Sequence, residues 1–430
     1  MFGLVDGNNF YASCERAFNP ELQGVPVCVL SNNDGCVIAR SQECKDLGIG
    51  MGQPIHEVPP ALRRQLRIFS ANFALYGDLS GRVVSILRDQ FARVEVYSID
   101  ESFVDFHGIR AEQREQVAAE VRARIRQWVG IPCCVGIGPT KTLAKLANKL
   151  AKKTPHGVVT VLPGDAALEK FPVEDVWGVG RRLTARLGAE GILTAADLCR
   201  ADPETLRARY GVVLARTQRE LQGIACADLE ESEPDRKQIV VSRSFGREVV
   251  ALEDLQQAAA TFAQRACEKL HARSLQANGV WVWFNTNPFK PDAPQYHPSG
   301  AMRLIAPTSD TRELLRQAQQ LVRAMYREGY RYKKAGVGLL DLTHGDHQQA
   351  DLFAQADPRS KSLMEVMDRA NARFGRGALG LASSAWRPRK GALERVQSLL
   401  SKSTKNAKWT NCRLVLSHRS QFFHSLLFLY

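Results

Sequence analysis

No two of the ten cysteines stand in a C-x-x-C pair, and no stretch approaches the roughly 18 apolar residues that a membrane-spanning helix requires. The start, Met1-Phe2-Gly3-Leu4-Val5-Asp6, has neither a basic segment nor a long apolar run, so a secretory leader is not expected. The chain is read as cytoplasmic, with no membrane partner. In that setting the cysteines are reduced, small apolar residues rather than disulfides or zinc ligands. His344-x-x-His347 has no third ligand in reach and reads as a polar loop. A phosphate-binding Walker loop is also missing. In Gly136-Ile137-Gly138-Pro139-Thr140-Lys141-Thr142, the residue directly before the lysine is Thr140, where that loop needs glycine. No internal repeat is visible.

What is present suffices for real cores. The 430 residues are 44% apolar and 24% charged, which excludes a wholly disordered chain and allows two to four domains. The net charge of +13 is unevenly placed. Much of it lies after residue 386. The segment 236–345 also carries an excess of Lys and Arg and looks folded, so it is the better evidence for a nucleic-acid partner.

The pattern is α+β. Strands are expected at Phe2–Asp6, at Pro26–Leu30 and Cys36–Ala39 around the turn Asn32-Asn33-Asp34-Gly35, at Arg93–Ser98, at Phe103–Phe106 and at Pro132–Ile137. Helices are expected at Ser41–Leu47, stopped by Gly48, at Ala111–Val129 with Val117, Val121, Ile125 and Trp128 as its apolar stripe, and at Thr140–Lys153. Residues 174–223 read as helical and 228–237 as an acidic linker. Residues 238–343 mix strands, such as Ile239–Ser242 and Val280–Phe284, with helices near 253–273 and 310–328.

Three acids carry the chemical signal. Asp6 ends the first strand, and Asp100-Glu101 sit between two apolar strands. Adjacent buried acids repel one another unless a cation is present. Oxygen-only ligands suit Mg²⁺, and a pair of such ions serves phosphoryl and nucleotidyl transfer. Spacing alone leaves open that these are ordinary turn residues. The wording around them narrows the choice. Asp6-Gly7-Asn8-Asn9-Phe10-Tyr11, Ser98-Ile99-Asp100-Glu101-Ser102-Phe103 and Gly136-Ile137-Gly138-Pro139-Thr140-Lys141 occur in the order seen in the Y-family translesion DNA polymerases. Asn32-Asn33-Asp34-Gly35-Cys36-Val37-Ile38-Ala39-Arg40 resembles their UmuC branch most. The resemblance covers about residues 1–385.

It implies a multi-domain right hand: a ferredoxin-like palm over 1–170 with fingers inserted at about 20–75, a helix-hairpin-helix thumb over 171–230 and an α/β little finger over 236–345. A clamp-binding and C-terminal region follows at 346–390, and 391–430 is an atypical basic tail that departs from the branch. The implied activity is error-prone DNA-directed synthesis across lesions in SOS mutagenesis. Asp6, Asp100, Glu101 and the Gly7 carbonyl match the holders of two Mg²⁺ ions, with Asp100 and Glu101 as the catalytic acids. Phe10 and Tyr11 line the nucleotide, Tyr11 as the gate against ribose. Lys45 and Lys152 match triphosphate contacts, while Gln42 departs from a tyrosine of some relatives, which puts that position's role in doubt. Gly178 and Gly180 would meet DNA phosphates, as would Arg243, Arg247, Lys333 and Lys334. Gln349, Leu352 and Phe353 resemble a sliding-clamp peptide. The implied partners are primer-template DNA, dNTPs, a processed UmuD-type dimer, RecA and the clamp. A binding-only chain disabled by its tail is the alternative.

Overall fold

The computed structural model describes residues 1–31, 34–231, 236–344, 358–375 and 378–381. They fall into two compact units, one over 1–233 and the other over 234–395.

The first unit contains strands β1 (Phe2–Gly7), β2 (Val27–Leu30), β3 (Val37–Arg40), β4 (Arg67–Ser70), β5 (Val94–Val96), β6 (Glu101–Asp105), β7 (Cys133–Gly138) and β8 (Val158–Thr160). Its main sheet runs β5-β6-β1-β7-β8, with β1 antiparallel to both neighbours. Every residue of β1 is buried, as expected of a central strand covered on both faces. Side chains alternate between those faces. Val5, Val104, Val135 and Ile137 join the core of helices Phe73–Gln90 and Arg114–Val129. Phe2, Leu4 and Phe103 meet Ala144 of the helix Lys141–Ala151. That helix lies very close to β7. A Cβ on Gly136 would sit 2.0 Å from the Asn148 backbone nitrogen, and one on Gly138 would sit 2.7 Å from that of Ala144. The glycine pair therefore serves helix-on-strand packing.

Two sequence expectations shift. The buried stripe of Arg114–Val129 is Ala118, Val121, Ile125 and Val129. Trp128 is 63% exposed, under the Arg124 guanidinium. Glu101 is the first residue of β6 rather than part of the preceding turn.

The small sheet β3-β2-β4 encloses its own core of Cys28, Leu30, Val37, Cys44, Ile49, Val58 and Leu66. The nine cysteines among the described residues are free thiols. The helices Arg181–Gly188, Ala195–Arg200, Pro203–Tyr210 and Val212–Leu221 share a core with Leu143, Leu146 and Ala147 of the helix Lys141–Ala151.

The second unit is an antiparallel sheet β11-β10-β12-β9, formed by β9 (Gln238–Val249), β10 (Leu275–Thr286), β11 (Ser299–Thr308) and β12 (Tyr332–Leu340). Helices Leu252–His271 and Thr311–Met325 cover one face. The helix Pro358–Phe374 is tied to this unit by Asp368, 2.9 Å from His271, and by Ser360, whose hydroxyl donates to Asp310. Among the described residues no helix is long and apolar enough to cross a membrane.

Candidate active site

The register of β1 with β6 pairs Asp6 with Glu101. Alternation along each strand then puts both side chains on the face covered by the helix Lys141–Ala151, because Leu4 and Phe103 already lie there. Asp100 is held by a stitched turn. The Ser98 hydroxyl donates to Asp100 Oδ1 at 2.7 Å and accepts from the Glu101 amide at 3.0 Å. The Gly7 amide donates to the Asp100 carbonyl at 2.9 Å. Asp6, Gly7, Asp100 and Glu101 thus meet at one end of the sheet.

The electrostatics are those of buried acids. Burial pushes the Asp6 carboxyl up to about 7, opposed by the Lys152 ammonium and reinforced by Glu101 and Asp100. Burial also raises Asp100, with Glu101 adding to it and the Ser98 hydrogen bond opposing it. Two lysines pair directly with these acids. Lys152 Nζ lies 2.6 Å from Asp6 Oδ2, and Lys145 Nζ lies 2.9 Å from Glu101 Oε2. Among the described residues no three His, Cys, Asp or Glu side chains close around a single point as a metal would require. The donor chemistry nevertheless fits a hard divalent cation, with carboxylate and carbonyl oxygens only.

Lys45 belongs to the same neighbourhood. It lies in the helix Gln42–Asp46, and burial together with the positive charges of Arg40 and Lys152 lowers its pKa. Lys45 and Lys152 are therefore both within electrostatic reach of Asp6. Gln42 instead donates to Asp46 within the same helix. Phe10 and Tyr11 open the helix Phe10–Phe18, next to Gly7. Tyr11 is 8% exposed and stacks on Tyr76, with ring centroids 4.3 Å apart at 16°. The Tyr76 hydroxyl donates to buried Glu15 at 2.8 Å.

The two glycines expected to meet DNA phosphates lie between the short 3-10 turn Val173–Asp175 and the helix Arg181–Gly188. Gly178 has φ +88°, a backbone state glycine reaches without strain. Gly180 precedes the helix Arg181–Gly188, with open space where a Cβ would be.

The basic residues of the second unit do not share one face. Register pairs Lys334 with Ser244 and Arg243 with buried Ala335, so Arg243 lies toward the helix-covered face. Lys333 donates to the Phe245 carbonyl at 2.6 Å, and Arg247 is exposed. Lys334 is on the open face, 5.3 Å from the Trp283 ring. That ring lies against Gly336, where a Cβ would clash at 2.6 Å. Gln349, Leu352, Phe353 and His347 lie outside the described residues.

Sequence reasoning missed Ser98, Lys145, Trp177 and Trp283. The alternation in Val280-Trp281-Val282-Trp283 was a usable signal for an aromatic face. Lys145 was visible only as one lysine of a basic helix.

Residues 5–149 match the impB/mucB/samB family, 236–352 its C-terminal domain, and 361–393 a domain of unknown function. Protein UmuC of Salmonella typhimurium is 44% identical over 392 residues, 89% of this chain and 93% of that protein. A DNA polymerase IV of Pelotomaculum thermopropionicum is 29% identical over 385 residues, 86% of this chain and 92% of that one. A solved Y-family DNA polymerase chimera, Dbh-Dpo4(243-245)-Dbh, superimposes with a TM-score of 0.68 at 21% identity, covering 80% of this chain and all of that one.

Proposed function

Because the chain belongs to the impB/mucB/samB family and is an error-prone, DNA-directed translesion DNA polymerase of the Y family, we propose that Asp6, Asp100 and Glu101 carry its nucleotidyl transfer. The observation behind this is the β1–β6 register, which sets Asp6 opposite Glu101 beside the Ser98-stitched Asp100. Enzymes of this family use divalent metal ions. Here the three carboxylates and the Gly7 carbonyl would hold two Mg²⁺. Such ions lower the pKa of a primer 3′-hydroxyl and neutralise charge developing on the phosphate.

The chain's own residues do the rest. Lys152 and Lys45 bind the triphosphate of the incoming dNTP, with Lys152 exchanging Asp6 for a phosphate oxygen. Tyr11, braced by Tyr76, leaves no room for a ribose 2′-hydroxyl. Gly178 and Gly180 let backbone amides approach a DNA phosphate, and Lys334 lies along the duplex. The domain roles are palm and fingers within 1–170, thumb at 171–230 and little finger at 236–345. The setting is SOS mutagenesis in the cytoplasm, with a processed UmuD-type dimer, RecA and the sliding clamp as partners, the clamp through Gln349, Leu352 and Phe353. A binding-only protein is not favoured.

Primer extension on an abasic template, with and without the UmuD-type dimer, tests this reading. Asp100→Ala or Glu101→Ala abolishes extension while primer-template binding survives. Near-normal extension by either variant removes the assignment of the acids.

A further inference from the structure

Lys145 stands in a constructed setting. Its ammonium contacts Glu101 Oε2 at 2.9 Å and lies 4.4 Å from the Tyr97 ring and 5.3 Å from the Trp177 ring. The two rings meet edge to face, 5.6 Å apart at 90°. Phe103, the residue of β6 that shares Glu101's face, packs against both rings. An ammonium at such distances is attracted to the ring faces, so its place is set by Tyr97 and Trp177 as much as by the carboxylate. Tyr97 directly follows β5, at the edge of the main sheet. Trp177 comes from a different segment: it immediately precedes Gly178, the positive-φ glycine shortly before the helix Arg181–Gly188.

We infer that Lys145 is a positioning residue for Glu101, and that the Tyr97–Trp177 pocket makes the carboxylate's placement depend on how the helix-hairpin-helix segment sits on the sheet. When Trp177 is seated, the ammonium is fixed and one Glu101 oxygen is committed to it. The other oxygen is then left to face the Asp6 side. When Trp177 withdraws, Lys145 loses part of its pocket and Glu101 loses its orientation. The segment that would touch DNA phosphates would thereby tune the catalytic acid through a single lysine. This inference rests on the assignment of Glu101 to the reaction.

The test is a double-mutant cycle in the full-length protein. Lys145→Met keeps the stem and removes the charge, and Trp177→Leu keeps apolar bulk and removes the ring. Each single variant should lower kcat for nucleotide addition at saturating dNTP by about three- to thirtyfold, the range a cation–π contact supports. KM for dNTP and Kd for primer-template should change by less than about threefold. Trp177→Leu in the Lys145→Met background should have no further effect on kcat. Lys145→Arg and Trp177→Phe should recover most of the loss. The same four proteins unfolded in urea should show the same non-additivity without any turnover. Additive losses in kcat and in unfolding overturn the coupling, as does a Lys145→Met enzyme with normal kcat. Glu101→Gln, run alongside, separates the two ideas. If it is inactive while Lys145→Met is normal, only the coupling falls. If it remains active, the role of Glu101 falls first.

Discussion

Asp6 is the residue where function and stability oppose one another most directly. Its carboxyl is pushed from an ordinary 3.8 to about 7, so the fold favours the protonated form. That contribution is complete below about 3.8 and is lost as pH rises through about 7. Asp6→Asn copies the neutral form. In EDTA its melting temperature should gain on the wild type between pH 5 and pH 7 and level off above that, while extension with metal present is abolished. A gap that shrinks over that range would contradict the burial argument. Tyr11, the proposed gate, is also part of the core. Removing its ring should admit ribonucleotides in primer extension, and it should also destabilise the first unit by about 3 kcal/mol, since a buried ring stacked on Tyr76 is lost. Tyr11→Phe, which keeps the ring, should leave sugar choice unchanged.

Among the elements, the helix Lys141–Ala151 organises the first unit. The Thr140 hydroxyl caps it, accepting from the Leu143 amide, and donates to the Glu220 carbonyl at 2.8 Å. The Glu220 carboxylate, at the end of Val212–Leu221, accepts from the Thr142 amide at 3.0 Å and hydroxyl at 2.5 Å. A buried acid thus occupies the helix N-terminus, where partial positive charge favours it. Glu220→Gln should cost about 1–2 kcal/mol, read as a lower urea midpoint. On the second sheet, Lys334 and Arg243 lie on opposite faces. If the open face meets DNA, Lys334→Ala should reduce the slope of log K against log salt by about one. Arg243→Ala should leave the slope unchanged, a comparison that fluorescence anisotropy at several salt concentrations decides.

On the scale of the whole molecule, the two units have separate cores. Calorimetry of the intact chain should therefore resolve two transitions, and Glu220→Gln should move only one. Truncation after residue 390 should leave extension at low salt intact. Replacing Leu352 and Phe353 with Ala should weaken clamp binding by about a hundredfold or more and spare clamp-free extension.

The amino-acid order alone determined the apolar strand β1, the helix stop at Gly48 and the place of Asp6, Asp100 and Glu101 near strand ends. Those signals are local, carried by period-two patterns, glycine conformations and short motifs. It could not determine that Trp128 would face solvent, because a helix stripe is chosen by what packs against it and two stripes on Arg114–Val129 were apolar enough. Nor could it place Arg243 apart from Lys334, since a face is assigned only when β9 takes its register against β12. Lys145 is the clearest case. Its neighbours Glu101, Tyr97 and Trp177 lie 32 to 48 positions away, on three different segments. Only the tertiary structure brings the charge and both rings within 5.3 Å, and electrostatic attraction falls off too steeply with distance for sequence spacing to reveal it.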